Sequence, residues 1–362
     1  MKTASRFIIA ASALALLAAC LPARSPNATS TPAAAPTVTP GATSTLALTP
    51  TTVPSATPRP RPKETRTAEA VPTVTSQPTA ALLSPPPIPQ NGAYLGAFVN
   101  PAKDTGGGTG WISQLPQFQA DLGGKLPGIL NFYVNFVDPV PTSDMQVIEA
   151  KGSVPLISWA CKDVSAIAAG QYDQPITQYA NGLKAFGHPV FVRWFWEMNE
   201  AHAQPCLGSA GASGYVAAWK HLYALFHQAG ATNVALVWCP GGGDVQSMGP
   251  FFPGADYVDW IGIDDYLRQG KKPSSFADLF MRWYAAYAQY GKPLMVAETG
   301  AQPTEQAAYF DGIGQSVPTQ FPALKAILYF DAAGPDGDWG LSPAGLAAFA
   351  QLMANPYFSF HQ

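Results

Sequence analysis

From Tyr94 onward the chain repeats one alternation: a short apolar run rich in Val, Ile and aromatic residues, then a longer segment whose apolar positions recur at helical spacing. The runs are Tyr94–Asn100, Gly128–Phe136, Val154–Cys161, Pro189–Asn199, Asn233–Cys239, Trp260–Leu267, Pro293–Gly300 and Leu324–Asp331. Near-continuous apolar runs suit strands of a parallel sheet covered on both faces, because neither side meets water. Amphipathic stretches such as Tyr215–Ala229 and Phe276–Tyr290 supply the helices between them, and only Asp244–Phe252, after the fifth run, leaves room for no more than a short one. Eight such β-α units over about 270 residues predict an α/β fold, a closed (β/α)8 TIM barrel. An open doubly wound sheet would carry a Gly-rich phosphate loop after an early strand. Gly106-Gly107-Gly108 has no Lys-Ser/Thr behind it and reads as loop punctuation. A two-lobed solute-binding protein is disfavoured by the single continuous series.

The pattern is absent before Tyr94. Residues 21–90 hold 16 of the 36 prolines and no Phe, Trp or Tyr. Such a segment cannot offset the entropy of ordering, so residues 20–90 are expected to be a disordered Pro/Thr/Ala-rich linker, semi-extended by its prolines. Residues 1–19 read as a signal peptide, with Lys2 and Arg6 ahead of an apolar Phe7–Ala19 too short to span a bilayer. It ends Leu17-Ala18-Ala19-Cys20, which resembles the bacterial lipobox. That resemblance implies a lipidated Cys20, attachment to a membrane through the lipid anchor, and an extracytoplasmic location on the cell membrane or outer cell surface. Residues 91–362 form the folded domain.

Charge divides in the same place. The first 90 residues carry seven Lys and Arg against two Glu, and the remaining 272 carry 13 against 21, a net of −8. A domain of that charge repels a phosphate backbone, so nucleic acid is excluded as a partner. Five histidines without metal-type spacing give no zinc motif, and no metal or cofactor is expected. Besides Cys20 there are three cysteines. Cys161 ends the third strand and Cys206 follows the fourth, so neighbouring loops can bring them together as a disulfide, leaving Cys239 free and buried.

The chemistry gathers at two strand ends. The domain has five glutamates, and two of them, Glu197 and Glu298, finish hydrophobic strands, where a carboxylate is costly without a partner or a purpose. Two carboxylates at one barrel mouth suit glycoside hydrolysis: one is held protonated to give its proton to the leaving oxygen, the other stays ionised and attacks the anomeric carbon. Trp194 and Trp196 flank Glu197 and are expected to desolvate it. Glu298 needs hydrogen bonds that keep it charged, from Tyr266 or Arg193. A buried Arg193–Glu197 ion pair would account for strand four alone and leave Glu298 unexplained. No Gly-x-Ser-x-Gly elbow supports a serine hydrolase.

Strand four, with Arg193 four residues before Glu197 and Met198-Asn199 after it, resembles the acid/base motif of glycoside hydrolase family 26. Glu298 looks like the nucleophile of that family. Val237-Trp238-Cys239-Pro240, the segment Asp256–Tyr266 and Asp338-Trp339 are similar to further family segments. The resemblance implies a retaining enzyme of the β-mannanase type acting by double displacement, with Glu197 as acid/base and Glu298 as nucleophile. It implies a polysaccharide substrate, β-mannan or a related β-glycan. One position departs: the family usually has His before the acid/base Glu, and here stands Trp196, with one N–H donor and no acceptor. That keeps β-1,3-xylan and mixed-linkage β-glucan open as substrates, and a non-catalytic carbohydrate-binding surface lipoprotein as the alternative class. Trp339 is expected to lie under the cleaved sugar, with Trp238, Tyr266, Trp159 and Trp111 lining the cleft. Arg193, Trp196 and Asn199 position sugar and carboxylates, Asp264 and Asp265 bind sugar hydroxyls or, the favoured role, orient Tyr266, and Trp219 and Trp283 pack against the barrel. The protein is expected to act as a monomer.

Overall fold

A computed structural model describes residues 83–100, 110–268, 270, 274–334 and 337–361. The expectations for the signal peptide, for Cys20, for the linker up to residue 82 and for Gly106-Gly107-Gly108 lie outside the described residues. Eight strands run β1 (Tyr94–Asn100), β2 (Ile129–Val134), β3 (Val154–Trp159), β4 (Val190–Trp194), β5 (Val234–Trp238), β6 (Trp260–Asp264), β7 (Leu294–Thr299) and β8 (Leu324–Gly334). Each pairs in parallel with the next, and β1 pairs with β8 from Tyr94↔Ala326 to Asn100↔Ala332, which closes the barrel. Helices α1 (Leu115–Asp121), α2 (Thr142–Glu149), α3 (Val164–Ala168), α4 (Asp173–Phe186), α5 (Gln204–Leu207), α6 (Gly211–Ala229), α7 (Val245–Met248), α8 (Phe276–Tyr287), α9 (Gln306–Gln320) and α10 (Pro343–Ala354) follow in the connections. The connection after β5 holds only a short helix, as its sequence requires, α7, followed by two 3-10 turns, Gly249–Phe251 and Ala255–Tyr257. No helix among the described residues is long and apolar enough to cross a membrane.

Side-chain alternation sorts the strands into two layers. Tyr94, Ile129, Leu156, Phe191, Val237 and Met295 belong to the cluster that fills the lower barrel. Their neighbours Leu130, Ile157, Val192 and Leu236 face the helices in the larger outer core. Toward the upper end the inward phase turns polar. Asn131 and Tyr133 follow Ile129, Ser158 follows Leu156, Arg193 follows Phe191, and Asp264 follows Trp260 by two residue pairs.

Most strands end short of the apolar run expected of them, strand four by the most. Strand four stops at Trp194 rather than Asn199, because Phe195 and Glu197 take φ of 48° and 53°, a left-handed backbone that no strand continues through. Strand seven carries a bulge. Ile263 pairs with Val296 but Asp264 pairs with Glu298, so Ala297 is skipped. The extra residue turns Glu298 as well as Ala297 toward the barrel interior. Strand eight continues past Asp331 into a hairpin with β9 (Gly337–Asp338).

The chain meets the barrel before Asn91. Pro86 and Pro89 are buried, the Thr232 hydroxyl donates to the Leu83 carbonyl at 3.2 Å, and the Tyr94 hydroxyl donates to that of Pro87 at 3.0 Å. Pro85, Pro86 and Ile88 border a cavity of about 450 Å³ with Val234 and Pro293, at the N-terminal ends of the strands. A proline can be buried here without leaving an unpaired N–H.

Candidate active site

At the upper end of the barrel lies a cavity of about 600 Å³ lined by Glu197, Glu298, Tyr133, Trp196, Tyr266 and Trp339 among others. Glu298 forms its floor. Its Oε1 accepts hydrogen bonds from the Tyr133 hydroxyl and from Arg193 Nη2, and its Oε2 accepts one from the Tyr266 hydroxyl at 2.5 Å. Both tyrosines are held neutral, since burial and then the Glu298 charge push their pKa values well up.

Arg193 organises the layer beneath. Its Nη1 donates to Asp264 Oδ1 and Oδ2 at 2.7 and 2.6 Å, while Nε and Nη2 donate to Ser158 Oγ at 3.1 and 2.7 Å. Ser158 in turn donates to Asn131 Oδ1 at 2.7 Å. Burial alone would lower the Arg193 pKa, but Asp264 and Glu298 beside it raise it well above its ordinary value. Burial pushes Asp264 up against the opposing pull of Arg193. A fully buried guanidinium between two carboxylates is sustained by this complete set of partners.

One oxygen each of Glu197, Asp264 and Glu298 lies within 4.8 Å of the others, and among the described residues this group alone is close enough to hold a metal ion. The guanidinium of Arg193 already supplies positive charge to two of the three. Glu197 is half-buried on the wall facing Glu298, its backbone N–H bonded to the Cys239 carbonyl at 2.8 Å.

The predicted aromatic set divides. Trp196 lines the cavity, with its ring 5.2 Å from Tyr133 and the Arg193 guanidinium 5.5 Å away over its face. Tyr266 and Trp339 stack at 4.9 Å on the opposite wall, and Trp339 is only 2% exposed, so it backs Tyr266 and offers little area itself. Trp159, Trp238 and Trp111 do not line the cleft. Trp159 is sandwiched between Phe136 and Tyr179 at 4.7 and 4.3 Å, Trp238 packs on Phe252 and Tyr287, and Trp111 stacks on Phe132. Their strand phase explains this for the first two, since Ser158 and Cys239 beside them take the inward side. Trp194 likewise points outward onto Tyr215, so it cannot desolvate Glu197, and of the flanking pair Trp196 alone shares its cavity. Trp219 and Trp283 are buried in the outer core, as expected.

Asn199 binds protein rather than the cavity. Its Oδ1 accepts from Gly241 N at 2.8 Å, and its Nδ2 donates to Gly241 O at 3.0 Å, pinning the loop after β5. Asp265 Oδ1 accepts from the Tyr266 backbone N–H at 2.8 Å, while Asp264 binds Arg193. Cys161 and Cys206 are disulfide-bonded with Cα atoms 6.1 Å apart, and Cys239 is free and buried. Sequence reasoning passed over Tyr133, His202, Arg268 and the Gly241–Gly243 loop, all on the cavity wall. The inward phase of β2 was a usable signal for Tyr133.

The family model of Glycosyl hydrolase family 26 matches residues 142–321, a stretch that includes Glu197, Arg193, Asp264, Tyr266 and Glu298. Endoglucanase H of Acetivibrio thermocellus is 28% identical over 262 residues, covering 67% of this chain and 29% of that protein. Mannan endo-1,4-beta-mannosidase A and B of Caldalkalibacillus mannanilyticus is 32% identical over 127 residues, covering 34% of this chain and 22% of that protein. The chain thus spans less than a third of the length of either relative. A GH26 β-mannanase structure from Bacteroides ovatus superposes with a TM-score of 0.55 at 16% identity, over 75% of this chain and 91% of that one, which establishes likeness of fold. With the matched stretch carrying both facing glutamates of a closed (β/α)8 barrel, the chain belongs to glycosyl hydrolase family 26.

Proposed function

We propose that this chain is a glycosidase, a retaining, endo-acting β-glycanase with β-1,4-mannan as its substrate. The observation that carries the mechanism is the approach of Glu197 and Glu298, whose nearest oxygens lie within 4.8 Å. Retaining enzymes hold their carboxyl groups ~5–5.5 Å apart, whereas inverting ones leave room for a water between them at ~6.5–9.5 Å. In the first step Glu197 gives its proton to the glycosidic oxygen as the C1–O bond breaks, and Glu298 attacks C1 to form a glycosyl ester. In the second, Glu197 as carboxylate takes a proton from water. The water oxygen bonds to C1, the ester bond breaks, and its electron pair returns to Glu298.

Endo action is supported by the run of the cleft. A second cavity, past Tyr133 and Trp196, is lined by Pro139, Val140 and Pro141. A third adjoins at Gly243 and Asp265. Mannan as the sugar is supported by the 32% identity to a named mannan endo-1,4-beta-mannosidase. A mixed-linkage β-glucan is the second reading, favoured by Trp196 at the cleavage site and by the 262-residue match to an endoglucanase. The lipobox-like Leu17–Cys20 supports an exported, lipid-anchored and extracytoplasmic protein, with residues 1–19 as signal peptide and the polymer met at the cell surface.

The test is product release from β-mannan, galactomannan, β-1,3-xylan and lichenan, with Glu298→Ala as control and the anomer of the first product followed by NMR. Mannan oligosaccharides of retained configuration, absent from the variant, are expected. Release from lichenan alone moves the assignment to the glucan. Inverted product refutes the double displacement, and silence on every polymer refutes the β-glycanase reading.

A further inference from the structure

Cys239 follows directly on the last residue of β5, where the regular ladder has run out. β5 pairs with β4 as far as Val192↔Leu236 and with β6 at Val237↔Trp260 and Trp238↔Ile261. Past Trp238 three other contacts join the strands. The Cys239 carbonyl accepts from Glu197 N at 2.8 Å, the Pro240 carbonyl accepts from Asp264 N at 3.1 Å, and the Cys239 thiol donates to Asp264 Oδ1 at 3.2 Å. Pro240 restricts the residue before it to an extended backbone, which suits a corner that bonds to both sides.

Each side leads to one of the facing carboxylates. Glu197 stands at a φ of 53°, a left-handed backbone that non-glycine residues adopt only at a cost, and its N–H is held by Cys239. Glu298 is reached through two links. The thiol holds Asp264, and Arg193 binds Asp264 through Nη1 and Glu298 through Nη2. Sγ also accepts from Arg193 Nη1 at 3.8 Å, so the thiol touches both members of that ion pair. Burial and then the Asp264 charge push the thiol pKa well up, which keeps on sulfur the proton that it donates. Strand β6 leaves room for this approach: a Cβ at Gly262 would stand 3.0 Å from both Cβ and Sγ of Cys239.

We propose that Cys239 is a positioning residue, whose thiol fixes Asp264 and through it the Arg193 guanidinium that holds Glu298. The same residue is bonded to Glu197 by its carbonyl, so the two carboxylates are registered against one another at a single point on β5. The proposal rests on the reading of Glu298 as nucleophile. Cys239 is fully buried and touches no reacting atom.

The test uses the full chain with Cys239→Ala, Cys239→Ser and Glu298→Ala, measuring kcat and KM on the polymer that the wild type cleaves, at a temperature where every variant is folded. Cys239→Ala is expected to lower kcat roughly three- to tenfold with KM near the wild-type value. Cys239→Ser, which keeps a donor for Asp264, restores at least half of the lost kcat. A buried cysteine that only packs behaves as a small hydrophobe, and serine is then no better than alanine. That order, or an unchanged kcat in Cys239→Ala, with Glu298→Ala inactive, overturns the role of Cys239 and leaves the nucleophile assignment standing. Activity retained in Glu298→Ala overturns that assignment, and the proposal with it. The infrared difference between wild type and Cys239→Ala isolates the S–H stretch of Cys239 and needs no substrate. A band lowered from that of a free thiol is expected, and a band at the free-thiol position overturns the contact on which the proposal stands.

Discussion

Asp264 and Glu298 stand opposite one another in the β6–β7 register because the bulge skips Ala297, and Arg193 bridges the pair from below. Arg193→Met would leave two buried carboxylates facing each other without a counter-charge. The expected cost is about 3–5 kcal/mol of unfolding free energy, read by chemical denaturation. Arg193→Lys keeps the charge but not the planar fork that serves Asp264, Ser158 and Glu298 together, so it should recover only part of that loss.

Tyr133 and Tyr266 hold the two oxygens of Glu298 separately. Replacing either by Phe removes one hydrogen bond to a charged group, on the order of 1.5–3 kcal/mol. If Glu298 is the nucleophile, each single variant should lower kcat by roughly ten- to a hundredfold, with thermal stability little changed. Equal kcat in wild type and both variants would show that Glu298 does not depend on them.

Trp196 and Trp159 should respond in opposite ways to truncation. Trp196→Ala, on the open wall, is expected to raise KM about tenfold and leave the melting temperature nearly unmoved. Trp159→Ala, in its sandwich of Phe136 and Tyr179, should cost about 3–5 kcal/mol of stability and leave KM as it was at a temperature where the variant is folded. Trp238→Ala belongs with Trp159.

Asp331 on β8 is 3% exposed, and burial raises its pKa from 3.8 to about 6 in spite of the hydrogen bond from Leu341 N. Between those two values the folded chain keeps a proton that the unfolded chain releases. Folding is therefore favoured on the acid side, and the advantage is lost as pH rises through 6. Asp331→Asn retains the acceptor for Leu341 without the buried charge. Its melting temperature should exceed that of the wild type at pH 8, by up to about 3 kcal/mol in free energy, and the difference should vanish by about pH 4.

The barrel was legible in the sequence because burial on both faces of a strand leaves an unbroken apolar run, and eight of them count themselves. Glu197 and Glu298 were legible because glutamate is scarce in the domain and rarely ends such a run. What escaped was set by the backbone. The left-handed residues at Phe195 and Glu197 and the bulge at Ala297 leave no mark on composition, yet they decide where strand four stops and which way Glu298 points. Strand phase decided the tryptophans: Trp159 and Trp238 carry the right ring for a sugar but occupy the helix-facing side of β3 and β5. His202 lay beyond reach for a different reason. Its place beside Glu197 depends on the course of a loop and a cross-link between residues 45 apart.

The contacts of Leu83, Pro86 and Pro87 at the N-terminal ends of the strands also have a mechanical meaning. The polypeptide joins the barrel on the side opposite the carboxylates. Tension at Leu83 would be taken up by prolines wedged against the starts of β5 and β7. A load that enters at Leu83 is borne by the N-terminal ends of the strands and does not pass through Glu197 and Glu298.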